Sequence, residues 1–472
     1  MKIEQIYTGC LAQGAYYIES NGEAVVIDPL REVEPYIQKA ERNNAKIKWV
    51  FETHFHADFV SGHLDLAKKT GATIVYGPTA NPSFKAHIAK DGEEFKVGKA
   101  VLKALHTPGH TMESTCYLIK DEQGKEVGLF SGDTLFIGDV GRPDLAQKVV
   151  VELTQEKLAA HLYDSLRNKI MPLADDIIVY PAHGAGSACG KNMSKETTDT
   201  LGHQKATNYA LRPGLSKEDF IKEVLTGLMP PPTYFPLNVL MNIQGYDSID
   251  EVLKRGLHAM SPEAFETAAN ETGALILDTR DPQTFAEGFV PNSINIGVNG
   301  QFAPWVGALI PDIKQEILIV CDLNKEEEVI TRLSRVGYDH TIGFLKGGFN
   351  EWKKAGKEID HITSITADEL AEKMKDQKVN LLDVRKHSEY ESEHLKEAEN
   401  TPLDYINDNL AQIDKNKTYY VHCAGGYRSM IFTSILRARG FDHLINIDGG
   451  FKALKESGKF KVTNYVAPTT LL

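Results

Sequence analysis

The chain has 472 residues, 42% of them hydrophobic and 25% charged, with a formal net charge of −13. That length suits about three domains of ~100–200 residues, each able to bury its own core with so ordinary a composition. The acidic balance excludes the clustered basic surface of a nucleic-acid binder and a footprint on an anionic membrane.

No apolar run reaches the ~18 residues of a membrane span, and Met1-Lys2-Ile3-Glu4-Gln5 lacks the pattern of a signal peptide, so a cytoplasmic location is expected. Five cysteines, at 10, 116, 189, 321 and 423, are far apart and form no Cys-x-x-Cys pair. Such spacing points to single buried or reactive thiols in a reducing compartment, not to a disulfide framework.

Along the chain, Ala24 to Asp28 reads as a buried strand stopped by Pro29, and Val33 to Arg42 as a helix. Ile47 to Phe51 is the next strand and runs into Glu52-Thr53-His54; Leu64 to Lys69 is helical. Further apolar runs at 73–76, 116–119, 128–130 and 177–180 complete a pattern of layered sheets covered by helices over residues 1–200. Residues 201–245 read as a helical arm and linker, because Pro230-Pro231-Pro232 and Pro236 break regular elements.

The remainder is an internal repeat. Leu275-Ile276-Leu277-Asp278-Thr279-Arg280 parallels Leu381-Leu382-Asp383-Val384-Arg385, and Ile317 to Cys321 parallels Tyr419 to Cys423. Cys321 to Gly347 and Cys423 to Gly449 both span 26 residues. Shared spacing of this kind marks a duplicated domain. The copies are 246–358 and 359–472, each alternating strands and helices as an α/β doubly wound sheet does.

Thr53-His54-Phe55-His56-Ala57-Asp58 follows a strand directly. His110 in Thr107-Pro108-Gly109-His110, Asp133 in Ser131-Gly132-Asp133 and His183 in Tyr180-Pro181-Ala182-His183 follow apolar runs in the same way, beside glycine or proline. Imidazoles and carboxylates gathered at strand ends are the usual donors for zinc and non-haem iron.

These motifs, in this order, resemble the metallo-β-lactamase superfamily, in its glyoxalase-II-like and persulfide dioxygenase branches. The resemblance implies an αββα sandwich over residues 1–200. The two-metal hydrolases of that superfamily carry His-x-His-x-Asp-His, whereas the last position here is Phe59. A phenyl ring cannot ligate, so the second metal loses a donor. What stays complete is the dioxygenase-like set His54, His110 and Asp133, implying one Fe(II) per chain, with Zn the alternative metal. His56, Asp58 and His183 are then groups that orient the ligands or meet a metal in part. Arg142, in Gly141-Arg142-Pro143-Asp144, either orients its loop or binds a substrate carboxylate. Cys189, in the small-residue loop Gly184 to Gly190, borders a substrate entrance, either as a sulfur carrier or as a packed thiol.

His422-Cys423-Ala424-Gly425-Gly426-Tyr427-Arg428 lies between a strand and a helical run. A thiol at a helix N-terminus is favoured as thiolate, Gly425 and Gly426 let N–H groups turn inward as an anion cradle, and Arg428 brings a cation. This loop resembles that of rhodaneses, which implies Cys423 and Arg428 as catalytic, Gly425, Gly426 and Tyr427 as substrate-binding, and Asp383 with Arg385 as a structural brace. A phosphatase-like use of the loop is less favoured, since Cys423 to Arg428 is a short span for a phosphate. In the first copy Cys321 is followed by Asp322-Leu323-Asn324-Lys325-Glu326-Glu327-Glu328. Acids there repel an anion and raise the thiol pKa, so this copy is expected to lack sulfurtransferase activity.

The whole chain thus resembles a persulfide dioxygenase–rhodanese fusion. That implies oxidation of a low-molecular-weight thiol persulfide by O2 to sulfite, followed by formation of thiosulfate at Cys423, in an enzyme that assembles with copies of itself. A zinc-dependent thioester hydrolase and a non-catalytic persulfide carrier are the alternatives.

Overall fold

In the strand Gln13–Ser20, Tyr16 and Ile18 face one way and Ala15 and Tyr17 the other, and all four are buried. Alternate side chains point to opposite faces of a strand, so a sheet with both sets buried must be covered on both sides. This sheet has six strands, in the order Lys2–Thr8, Gln13–Ser20, Glu23–Ile27, Lys46–Phe51, Thr73–Tyr76 and His87–Ile88. A second six-stranded sheet runs Asp199–Thr200, Ile178–Pro181, Glu126–Gly132, Thr115–Lys120, Ala100–His106 and Glu94–Val97.

One core holds Tyr16, Ile18, Val25 and Phe51 of the first sheet with Phe95, Leu102, Tyr117 and Phe130 of the second. Helices Glu34–Arg42 and His63–Thr70 pack Tyr36, Ala40 and Leu66 on the outside of the first sheet. Gln155–Ser165 covers the outside of the second with Leu158 and Leu162 buried. This is the αββα sandwich that the resemblance implied. The computed structural model describes residues 1–145 and 153–467, and places them in two units: residues 1–251 with 333–337, and residues 252–332 with 338–472.

The arm and linker expected over 201–245 is a correction. Leu201, Ala210, Leu211, Leu215, Phe220 and Val224 lie in one buried cluster with Leu162 and Val179, so this stretch finishes the sandwich's outer layer. Helix Lys217–Leu225 buries only Phe220 and Val224, an i, i+4 pair too sparse to stand out in sequence. Pro236 does not break an element either; it sits in the first turn of helix Phe235–Gln244, where its missing N–H costs nothing.

That last helix clamps the metal motif. Asn242 Nδ2 donates to the carbonyls of His56 (2.8 Å) and Phe59 (2.9 Å), and its Oδ1 accepts from Ser61 N (2.9 Å). Three buried backbone groups of the His54–Ser61 turn are satisfied by one side chain 180 residues away.

In the second unit the two copies have sheets of five parallel strands in the same order. The first runs Ala259–Met260, Thr341–Leu345, Ile317–Val320, Leu275–Asp278 and Ile294–Asn295. The second runs Thr363–Ile365, Leu444–Ile447, Tyr419–His422, Asn380–Asp383 and Ala398–Asn400. Each sheet puts its cysteine directly after the central strand.

Asn242→Ala leaves three buried backbone groups without partners, at ~1–3 kcal/mol each. Hydrogen exchange of peptides covering residues 54–61 should accelerate by at least about a hundredfold, while exchange in residues 275–320 stays unchanged. Unchanged exchange in 54–61 would show that the clamp contributes nothing.

Candidate metal centre and cysteine loop

Strand Lys46–Phe51 ends just before Thr53 and His54, Ala100–His106 leads into the turn bearing His110, and Glu126–Gly132 delivers Asp133. All three ligand candidates are buried, and their donor atoms lie within 4.8 Å of one another. His110 Nε2 is 3.4 Å and His54 Nε2 3.8 Å from Asp133 Oδ2.

The opposite ring edges fix which nitrogens face inward. Thr53 Oγ1 donates its only proton to Asp28 Oδ2 (2.9 Å), so toward His54 Nδ1, 3.0 Å away, it can only accept. His110 Nδ1 lies 2.9 Å from the Arg142 carbonyl and must donate to it. Both imidazoles therefore donate from Nδ1 and turn Nε2 toward Asp133, the usual orientation of a metal-binding histidine. Burial, with His56 close by, holds the His54 pKa well below its ordinary value, so the ring is neutral.

Asp133 divides its two oxygens. Oδ1 accepts from His183 Nδ1 at 2.8 Å, while Oδ2 is buried and has no hydrogen-bond partner among the described residues. Burial alone would raise the Asp133 pKa, but His183, charged and donating to Oδ1, outweighs it and keeps the group ionised. An ionised, buried oxygen unpartnered among the described residues and facing the Nε2 atoms of two histidines is expensive without a cation, and the donor set fits one.

Of the remaining histidines, His183 lies between two carboxylates, with Nε2 2.8 Å from Asp58 Oδ2. Burial opposes its charge, but Asp133 and Asp58 raise its pKa well above the usual value. His56 points away, its Nε2 3.0 Å from Asp28 Oδ1 and 3.6 Å from Glu52 Oε2. The buried Phe59 ring packs on His56 at 4.3 Å between centroids. Two further sets of potential donors are drawn together, Asp58–His183–Cys189 and Asp28–Glu52–His56. Burial and the adjacent Asp58 push the Cys189 thiol well above its usual pKa.

The Arg142 side chain is held within its loop. Its guanidinium is bidentate on Asp144 (2.7 Å twice) and also donates to the carbonyls of Ala188 (3.3 Å) and Met229 (2.5 Å). The commitment of every terminus to protein leaves the substrate-carboxylate role without support. Gly141 makes this turn possible, since a Cβ there would lie 2.0 Å from the Asp133 carbonyl and 3.0 Å from His110 Nδ1. Thr53, Asp28 and Asn242 did not stand out in the sequence. Thr53 and Asp28 were visible as strand-end polar residues, but nothing in sequence joined Asn242 to the site.

Residues 8–183 match the family described as the metallo-beta-lactamase superfamily. A metallo-beta-lactamase structure from Staphylococcus aureus subsp. aureus COL is 30% identical with a TM-score of 0.63, and the match covers 73% of this chain and 98% of that one. The chain belongs to the metallo-β-lactamase superfamily. A cytoplasmic hydroxyacylglutathione hydrolase of Arabidopsis thaliana is 31% identical over 188 residues, which is 39% of this chain and 67% of the relative. The structure of ETHE1 from Myxococcus xanthus is 28% identical with a TM-score of 0.43, covering 51% of this chain and 98% of that one. Behind the metallo-β-lactamase domain come two rhodanese-like domains, matched at residues 261–355 and 366–457. No helix among the described residues is long and apolar enough to cross a membrane.

In the second rhodanese-like domain Cys423 is buried at the N-terminal end of helix Tyr427–Ala438, and Gly426 N donates to its Sγ at 3.1 Å. Gly426 holds φ at 102°, which turns that N–H inward. Arg428 departs from the simple expectation of a free cation: Glu389 grips it at 2.6 and 2.9 Å, so its charge is already paired. Arg385 is bidentate on Asp383 and lies 4.0 Å above the Phe451 ring, a buried brace beneath the loop. Arg280 and Asp278 repeat that brace in the first copy. There burial, reinforced by Glu326, Asp278 and Asp322, raises the Cys321 pKa far above the ordinary range. The five cysteines are all free.

Thr53→Val removes the acceptor that fixes His54 Nδ1–H and the donor to Asp28. Metal affinity, read by competition with a chromophoric chelator, should fall about ten- to hundredfold. Affinity within twofold of the native protein would refute the tautomer assignment.

Proposed function

We propose that the metallo-β-lactamase domain is a persulfide dioxygenase using one Fe(II) held by His54, His110 and Asp133, and that Cys423 then transfers sulfane sulfur to sulfite. The observation that carries the reading is Asp133 Oδ2, buried and without a hydrogen-bond partner among the described residues beside the Nε2 atoms of two histidines, in a motif whose next ligand position is the packed Phe59. Two histidines and a carboxylate leave positions open, and Fe(II) bound there supplies a redox-active centre able to take O2 and a sulfur ligand.

The chain's own residues prepare that site. Thr53 and the Arg142 carbonyl hold the Nδ1 edges, so that Nε2 of His54 and His110 faces inward. His183 holds the carboxylate so that one oxygen is left for metal. Burial of His54, His110, Asp133 and Cys189 excludes bulk water. Overall, R–S–SH, O2 and water give R–SH, sulfite and two protons. Sulfite then takes the outer sulfur of the Cys423 persulfide to give thiosulfate and free Cys423 thiolate, so the product of one site is the acceptor of the other. The enzyme would work in the cytoplasm on small sulfur compounds, with R–S–SH, O2 and sulfite as its partners.

A second reading has its own observation. Asp58, His183 and Cys189 gather beside Asp133, so Cys189 would replace the missing histidine in a two-metal thioester hydrolase, the kind of activity named for the Arabidopsis relative.

Protein purified without oxygen should hold about one iron per chain and consume O2 only when a thiol persulfide is added. Cys423→Ser should spare O2 uptake and abolish thiosulfate formation. Two zinc ions per chain, with thiol released from an acyl-thioester and no O2 uptake, would overturn the dioxygenase in favour of the hydrolase. Loss of all function in Cys423→Ser would instead indicate a persulfide carrier.

A further inference from the structure

Within the second unit, a cavity of about 360 Å³ opens between the two rhodanese-like copies. The catalytic loop supplies one wall through Gly425, Gly426 and Tyr427, with Asp448 beside it; the opposite wall is Asp281 to Gln283 and Gly297 to Gly300 of the copy with the disabled cysteine. The walls are fastened together. Tyr427 Oη donates to the Gly297 carbonyl at 2.7 Å. Its ring lies on Gly300, where a Cβ would come within 2.3 Å of ring carbon. Gly300 is therefore needed for room. The first copy thus fixes Tyr427, one residue after the Gly426 N–H that meets the Cys423 thiol.

The volume lies in the range of sites for small organic ligands, more than sulfite or thiosulfate needs. The lining carries two carboxylates, Asp281 and Asp448, and no lysine, arginine or histidine. The Asp281 carboxylate caps helix Pro282–Glu287 through Gln283 N (2.9 Å), whereas Asp448 is exposed. The two carboxylates favour an ammonium group over a carboxylate on the organic part of a donor.

Building on the sulfurtransferase reading of Cys423, we propose that this cavity binds the organic part of the sulfur donor, and that the donor is an amine-bearing low-molecular-weight thiol persulfide. The disabled copy is then the specificity wall of its neighbour. In the transfer, the Cys423 thiolate bonds to the terminal sulfur of R–S–SH, the donor's S–S bond breaks and R–S⁻ leaves; the proton passes to the departing thiolate, and no net oxidation occurs. The ammonium of R rests by Asp448.

The test uses the full-length protein without oxygen, so that the metal domain is silent, with sulfite as acceptor and thiosulfate as the measured product. Cysteamine persulfide, which carries only an amine, is compared with 3-mercaptopropionate persulfide, which carries only a carboxylate. The native protein should favour the amine donor by about tenfold in kcat/KM. Asp281→Asn with Asp448→Asn, which keeps the helix cap, should lower the amine donor's efficiency and raise the carboxylate donor's, bringing the ratio to about one. A Gly300→Ala variant should lower both by displacing Tyr427. An unchanged ratio in the double asparagine variant overturns the proposal while leaving Cys423 chemistry intact. No thiosulfate from either donor in the native protein overturns the sulfurtransferase reading, and this assignment with it.

Discussion

The chemistry of the first domain depends on how one buried carboxylate is shared. Asp133 gives one oxygen to His183 and leaves the other unpartnered between His54 and His110. Burying an ionised carboxylate costs several kcal/mol unless it is compensated. His183, charged between Asp58 and Asp133, supplies part of that compensation, and a metal ion would supply the rest. The arrangement needs each histidine in a defined tautomer, so it extends outward to Thr53, Asp28 and the Arg142 carbonyl. From there it reaches the Arg142–Asp144 pair that holds the turn in shape. A chain of local hydrogen bonds thereby carries the metal geometry into the loops around it.

What was legible in sequence was whatever is adjacent in sequence. His54, His110, Asp133 and His183 each follow a strand, so apolar runs ending in polar residues disclosed them. The duplicated Cys-to-Gly spacing disclosed the two rhodanese-like copies and their identical strand orders. What depends on packing across long separations was hidden. Asn242 acts on His56 and Phe59 from a helix that opens at a proline-rich stretch, and the same prolines made residues 201–245 look like a linker when Leu201 to Val224 are core. The pairing of Arg428 with Glu389 was equally hidden, since an arginine closing a cysteine loop carries no sign of its partner.

The two rhodanese-like copies show what duplication permits. Both keep the buried Asp–Arg brace and the parallel sheet, because those hold the fold together. Only one keeps the glycine-rich turn that points an N–H at sulfur. Around Cys321, burial and the neighbouring acids raise the thiol pKa, while the first copy keeps the same fold. Its surface loops are then free to serve a neighbour, and Tyr427 on Gly297 and Gly300 is such a contact.

Phe59 bears on both readings of the metal domain, and its position explains why one loss need not destroy the site. In place of a ligand it packs on His56, whose Nε2 is turned toward Asp28 and Glu52. Burial and the nearby Asp28 raise the Glu52 pKa well above the usual range. The substitution therefore removes a donor and at the same time settles a second histidine into a neighbouring polar cluster. What faces inward after that is His54, His110 and one oxygen of Asp133. Cys189 stands on the other side, by Asp58 and His183. It is a soft sulfur donor where a second metal would need one and where a sulfur substrate would arrive. The same thiol thus serves either reading, and the difference between them reduces to whether Cys189 meets a metal or a persulfide.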